Sequence, residues 1–480
     1  MGKALRSWWR EGERWYLAIG LANLVLGTSS VLIPLAVAGL YGRSAAAVGL
    51  LASLVSLVGV VGSLVWGRLS DAAHRRKPFV VLSYAGVGLC FLGISLTRAF
   101  HQLVVLNMLS NFFWIANASV TVLIVIENRD HATWERKIGH LNQFGAIGWV
   151  AGLGLGSLWT AVLSEAAGDA LTIRSLFVTI GLASLAASLL AFRLVPRTIP
   201  RFTRRRFRGA VVAMGNFIAE KGRFAPLHLY HRLDPRRIGR LLTRPEGFQP
   251  GTRRFLASTL LAFTGLGLFG IPLPLVLSDR FGFPSSFVFA LFMIQHLGIV
   301  FAYPLAARRI RRLGNRSVQA AALSLRFVLF GGAAAYLLLT ATVPPIAVLV
   351  VAFVVYGVTW SYFQLSGVAL TSRLARKENR GAALGLYNAL AGLGWILAGL
   401  GSGLLTERLG YAATFAAAAA LLLGSLAVLR FVPDPMKTTG QQSAVRPEPR
   451  PEARQSRRHP IAAWASCRRG AEPTVRPEAS

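Results

Sequence analysis

Amide and indole side chains recur inside long apolar stretches of the chain, where they can hold a solute by hydrogen bonding and ring stacking. Asn107, Asn111 and Trp114 fall on one face of the stretch at 102–126 when it is drawn as a helix. An unpaired polar group is costly in apolar surroundings, so this face must turn towards a cavity or another helix. The pattern therefore predicts either a binding wall or a hydrogen-bonded helix contact.

Other polar side chains in the apolar stretches make the same prediction. They are Asn23, Gln295, His296, Tyr356, Trp360 and Gln364. His296 is the only histidine well inside a stretch, and it either carries a proton or stays neutral and bonds a neighbouring helix.

No residue pattern predicts catalysis or a metal site. No Asp or Glu lies deep inside an apolar stretch, and the two cysteines, Cys90 and Cys467, cannot form a cysteine-based metal centre. A membrane enzyme would need a nucleophile, paired carboxylates or metal ligands at one depth, and the stretches contain no such cluster. We expect no enzyme activity, no catalytic residues, no metal and no cofactor.

The elements that position these side chains are predicted to be transmembrane helices. Hydrophobic residues make up 54% of the 480-residue chain and charged residues only 15%, which exceeds the apolar content of soluble proteins. Twelve stretches are long enough to cross a core of roughly 30 Å, at 15–40, 45–66, 78–97, 102–126, 139–163, 174–195, 254–277, 285–307, 317–340, 344–371, 381–405 and 412–432. They are too long for barrel strands. The predicted fold is all-α and integral to the membrane, with about twelve transmembrane helices.

The basic residues give the orientation of these helices. The net charge of +33 would suggest a nucleic-acid partner in a soluble protein, but the charges alternate between connections. Alternate connections hold at most one Arg each, whereas the other connections and the two ends hold nearly all of the 52 Lys and Arg. We expect a multi-pass protein of the cell membrane with both termini in the cytoplasm.

One long interruption divides the stretches into six and six. We predict an N-terminal six-helix bundle at 1–195, a basic cytoplasmic loop at 196–253, a C-terminal six-helix bundle at 254–432 and a disordered, basic, Pro-rich tail at 433–480. Anionic lipid headgroups attract such basic segments by about 1 kcal/mol per charge. We therefore expect membrane lipids, and no nucleic acid, as partners of the loop and tail.

The connection after the second stretch carries a recognisable motif. Its residues, GRLSDAAHRRK at 67–77, resemble the signature loop of the major facilitator superfamily. The positions that match the family pattern are Gly67, Leu69, Asp71, Arg75 and Arg76; His74 stands where a second glycine is usual. Asn142 with Gly148-Trp149 is repeated in the second half as Asn388 with Gly394-Trp395, which supports an internal duplication.

This resemblance implies two pseudo-symmetric six-helix bundles around a central cavity lined by the first, fourth, seventh and tenth helices. The polar residues named above then become candidates for the substrate site. Asp71 and Arg75 would form a conformational switch, with Glu127 as a third member; alternatively these charges only serve topology. Arg326, on the ninth helix, which is peripheral in the family, is predicted to extend towards the cytoplasmic surface.

The predicted function is transport of a small neutral or amphipathic organic solute by alternating access. No carboxylate lies deep in the membrane to relay protons or to bind a cation. Proton-coupled efflux of drug-like compounds is the alternative within transport. A non-transporting receptor or scaffold that uses the basic loop and tail is the alternative from another class.

Overall fold

The computed structural model describes residues 14–73, 76–127, 134–196, 250–340, 342–375 and 380–433, and its long elements are all α-helices. Helices α1 to α6 are Tyr16–Gly39, Ala45–Ala73, Lys77–Leu96, Phe100–Glu127, Trp134–Ala167 and Asp169–Leu194. Helices α7 to α10 are Pro250–Gly270, Ser285–Leu313, Asn315–Leu339 and Ile346–Leu374. A last helical run, Arg380–Leu429, breaks at Gly410, where φ is 82°, and we call its two parts α11 and α12. The predicted all-α class is confirmed.

The described helices determine the number of membrane crossings only in part. Ten helices within the described ranges are long and apolar enough to cross a membrane. One of them, Ala383–Leu429, has 47 residues, about twice what one crossing needs, and it contains the break at Gly410. Helix α4 is not among the ten, and it carries three asparagines. The count of twelve crossings stays a prediction.

Helix α7 begins at Pro250, inside the segment predicted as the central loop. Proline is favoured at a first helical position because the amide there has no partner within the helix. After Gly270, Pro272 and Pro274 interrupt the ladder of backbone hydrogen bonds, and the chain continues through a short helix and a π-helical turn to Arg280. The rest of the predicted loop and tail, 197–249 and 434–480, lies outside the described residues.

Small residues let the helices of each half approach closely. Gly148 and Gly152 of α5 lie directly against the backbone carbonyls of Gly20 and Leu24 on α1, where a Cβ atom would clash. Thr28 of α1 donates its hydroxyl to the carbonyl of Gly152 at 2.7 Å. Glycine is therefore required at these positions, as is usual where membrane helices pack backbone against backbone.

We expect Gly148→Val to destabilise the protein by about 3 kcal/mol or more, because the added side chain would push α1 away from α5. Gly385→Val is the matched control, since nothing lies within 4 Å of the position its Cβ would occupy. Melting temperatures of the two purified variants test this. Equal melting temperatures would contradict the described packing of α1 on α5.

Candidate functional site

A cavity of about 440 Å³ lies between the two halves of the protein. Helices α1 to α5 form its wall on one side, and α7, α8, α10 and α11 form the other. The break after α7 contributes directly, because Gly270, Ile271 and Pro274 are part of the wall. Both halves therefore contact whatever occupies this space.

Six of the nine candidate residues line this cavity. They are Asn107, Asn111, Trp114, Gln295, His296 and Tyr356. Asn111 donates its amide to the carbonyl of Val55 on α2 at 2.7 Å, which fixes the side chain and leaves its oxygen as an acceptor. The structure brings these residues together, and their role in binding a substrate stays a prediction.

The other three candidates lie away from the cavity wall. Asn23 donates to the carbonyl of Ile19 on its own helix at 2.9 Å and lies beside α5. The ring of Trp360 packs against that of Phe263, at 6.4 Å between centroids. Gln364 lies one turn further along α10, where its Oε1 is buried without a hydrogen-bond partner. A polar face on a helix thus identifies residues that avoid lipid, and some of them meet other helices instead.

Two tryptophans of the wall are not among the binding candidates predicted from the sequence. Trp149 on α5 and Trp395 on α11 both line the cavity. They occupy the same place in the duplicated pattern of the two halves, and that repeat is the signal that could have identified them. Three serines, Ser29, Ser30 and Ser110, add hydroxyl groups to the wall.

Trp149 and His296 form a contact across the cavity between the two halves. Their rings are stacked, with centroids 5.4 Å apart and an interplanar angle of 14°. The Nδ1 of His296 lies 2.9 Å from the carbonyl of Phe292, so Nδ1 carries a proton and Nε2 of the neutral ring is an acceptor. Trp149 Nε1 and Gln295 Oε1 are buried without hydrogen-bond partners. The wall therefore holds an unused donor beside unused acceptors.

Arg326 does not extend to the membrane surface, and that prediction is wrong. Its side chain is fully buried. The guanidinium lies over two rings of α10, 4.8 Å from the centroid of Tyr356 and 5.5 Å from that of Trp360. Arg326 lies roughly 16 Å along α9 from Asn315, too deep to reach the helix end. The aromatic faces hold the cation inside the protein instead.

The walls of the cavity carry no formal charge within the described part of the chain. The carboxylates whose side chains are described, Glu165, Asp169, Asp279 and Glu407, are all exposed near helix ends. None of these four residues lines the cavity. The arrangement suits hydrogen bonding and ring contact rather than proton relay by carboxylates.

The two halves touch at one end of the cavity. Ser157 of α5 donates to the carbonyl of Ser286 on α8 at 2.9 Å, and Ser53 of α2 donates to that of Ile396 on α11 at 2.7 Å. Ser44 bonds the carboxylate of Glu407 at 2.6 Å. Ser44, Ser286 and Glu407 lie near the connections that hold at most one Arg each, and Ser53 and Ser157 lie further inside their helices. The cavity is closed on that side.

The predicted conformational switch is mostly outside the described residues. Gly67 and Asp71 belong to the last part of α2 and Glu127 ends α4, but their side chains, and all of Arg75, are not described. Arg76 is described, and it is buried just before α3. The switch stays a prediction.

The family model of the Major Facilitator Superfamily matches residues 15–334 and 255–471. The nucleoside transporter NupG superposes with a TM-score of 0.61 at 14% identity over 88% of this chain and 99% of its own. The human organic anion transporter MFSD10 gives a TM-score of 0.57 at 17% identity over 87% and 98%. A peptide transporter POT bound to sulfate gives 0.65 at 13% over 88% and 95%. No curated protein matches the chain in sequence.

These findings define a multi-pass membrane protein with a transporter fold. The chain belongs to the major facilitator superfamily.

Proposed function

We propose that the protein moves a small neutral or amphipathic organic solute across the cell membrane by alternating access, and that it transports rather than catalyses. The observation that carries this proposal is the closed end of a cavity whose wall comes from both halves. A solute bound there contacts both halves, so a rocking motion of one against the other can expose it to either side.

The basic residues support the orientation that we propose. The closed end lies beside the Arg-poor connections, which the positive-inside rule assigns to the outside. We propose that the described conformation is closed to the outside and that both termini are cytoplasmic. The basic loop and tail then face the cytoplasmic leaflet, where anionic lipid headgroups rather than nucleic acid are their partners.

The chemistry of the cavity wall supports a small neutral or amphipathic organic solute as the substrate. Asn107 and Asn111 offer amides, and Trp114, Trp149 and Tyr356 offer ring faces, without any charged side chain in contact with the solute. Amides recognise hydroxyl, carbonyl and amine groups, and aromatic rings bind flat or apolar surfaces. The similar structures are named for nucleosides, organic anions and peptides, which are all organic solutes.

A thermal-shift screen of the purified protein against nucleosides, sugars, amino acids, peptides and amphipathic compounds should yield a stabilising ligand, because binding to the folded state raises its stability. We expect Asn111→Ala to weaken that ligand about tenfold or more. Asn23→Ala should leave the affinity unchanged, because Asn23 lies outside the cavity. Equal effects of the two substitutions would contradict the assignment of the cavity as the binding site.

Alternating access predicts that fixing the closed end stops transport. Cysteines at positions 157 and 286, joined across α5 and α8 in a chain with Cys90 and Cys467 replaced by serine, should abolish uptake into proteoliposomes until a reductant is added. Cysteines at 258 and 425 are the control, because both belong to the second half and their hydroxyls are 2.8 Å apart. Transport that survives the first cross-link would exclude the mechanism.

Proton coupling is a second candidate, and the position of His296 in the wall favours it. A proton on His296 would place a charge against the Trp149 ring and turn Nε2 from acceptor to donor. We expect the pH dependence of uptake to be lost in His296→Gln. Uptake that is independent of pH in both the native protein and this variant rules out the role of His296.

A further inference from the structure

The charge buried behind the cavity wall has no counter-charge among the described residues. Arg326 makes one hydrogen bond, from Nη2 to the backbone carbonyl of Tyr356 at 2.8 Å. Its Nε and Nη1 are buried without hydrogen-bond partners, and the described carboxylates all lie exposed near helix ends. The two aromatic faces stabilise the cation, but they leave its net charge unneutralised.

A purely structural role does not account for this charge. Burying an ion without a counter-charge is strongly unfavourable, and an apolar or neutral side chain of similar size would join α9 to α10 at less cost. A charge kept inside a membrane protein under these conditions is expected to act on a ligand or on a moving charge. The neighbouring residue through which it can act is Tyr356.

Tyr356 connects the charge to the cavity. The guanidinium carbon of Arg326 lies 4.8 Å from the centroid of the Tyr356 ring, and Tyr356 also forms part of the cavity wall. A solute atom in contact with that ring lies no more than about 10 Å from the guanidinium carbon. At an effective dielectric constant near 20, one negative charge at this distance is favoured by about tenfold in affinity over a neutral group. No described residue of the wall opposes this field with a charge of its own.

We propose that Arg326 makes the cavity selective for amphipathic organic anions, with the negative charge held near Tyr356 and the apolar part against the aromatic wall. This inference rests on the proposed transport function and narrows its substrate class. Arg326 acts as a positioning residue, because it reaches the solute through its field and through the Tyr356 ring rather than by direct contact.

The test compares phenylbutyrate with phenylbutyramide and phenylpropanesulfonate, in which one phenylpropyl group carries a carboxylate, a neutral amide or a sulfonate. Their dissociation constants for the purified protein are measured by thermal shift, and their uptake is measured in proteoliposomes. The native protein should bind both anions about tenfold more tightly than the amide. In Arg326→Gln this ratio should fall to near one, and Arg326→Lys should restore it.

Arg174→Gln is the matched control. Arg174 also donates to a backbone carbonyl, that of Ser95 at 2.7 Å, but it lies near an end of α6 and away from the cavity wall. The ratio of anion to amide affinity should stay at its native value in this variant. A purely structural role of Arg326 would lower stability without changing the ratio.

The outcomes separate the two proposals. Uptake of the amide as efficient as that of both anions overturns the selectivity for anions and leaves transport of an amphipathic solute standing. Binding of none of the three compounds by folded protein also overturns the selectivity for amphipathic anions, and the broader thermal-shift screen then tests the transport proposal separately. If Arg326→Gln does not fold, the affinities of the native protein for the sulfonate and the amide still test the selectivity for anions. The sulfonate is charged throughout the working pH range, so the two compounds differ in charge at every pH used.

Discussion

Polar groups inside a membrane have no water to bond, and the packing of this chain follows from that constraint. Hydroxyls of one helix donate to backbone carbonyls of the next, as Ser184 does to Tyr84 at 2.7 Å and Thr28 to Gly152. Ser258 and Ser425 exchange such bonds between α7 and α12. Each pairing removes a polar group from lipid and ties two helices together. Among the described residues, Trp149 Nε1 and Gln295 Oε1 at the central cavity and two guanidinium nitrogens of Arg326 are buried without such a partner.

Glycine packing holds helices together within each half and also across the seam between the halves. Within a half, glycines place whole helix backbones in contact, as on α1 and α5. Between the halves, Gly49 of α2 lies against the backbone of Gly399 on α11, and hydroxyl bonds such as Ser157 to Ser286 and Ser53 to Ile396 add to this contact. Single hydrogen bonds between membrane helices contribute about 1 kcal/mol or less, and backbone packing contributes as well. A bound solute that shifts the balance between two positions of the halves must therefore offset the loss of this packing.

The sequence could predict the helices and much of the cavity wall, because both depend on local pattern. The length of each apolar stretch predicts a membrane-spanning helix. The shared helix face of Asn107, Asn111 and Trp114 predicts one part of the cavity wall. It could not separate a polar side chain at the cavity from one at a helix contact, since both avoid lipid in the same way. Asn23 bonds its own helix and Trp360 packs on Phe263, and only the packing of neighbouring helices decides this.

Arg326 shows a different limit. Its position in the sequence suggested a side chain that extends to the surface, whereas aromatic rings about three helical turns from the helix end hold it inside. A cation placed in the wall itself would form a direct ion pair with an anionic solute, and release would then be slow. Placed behind the Tyr356 ring, it attracts the same solute through a field of moderate strength. A transporter must bind its solute well enough to select it and weakly enough to release it on the other side, and a charge held one layer behind a neutral wall meets both requirements.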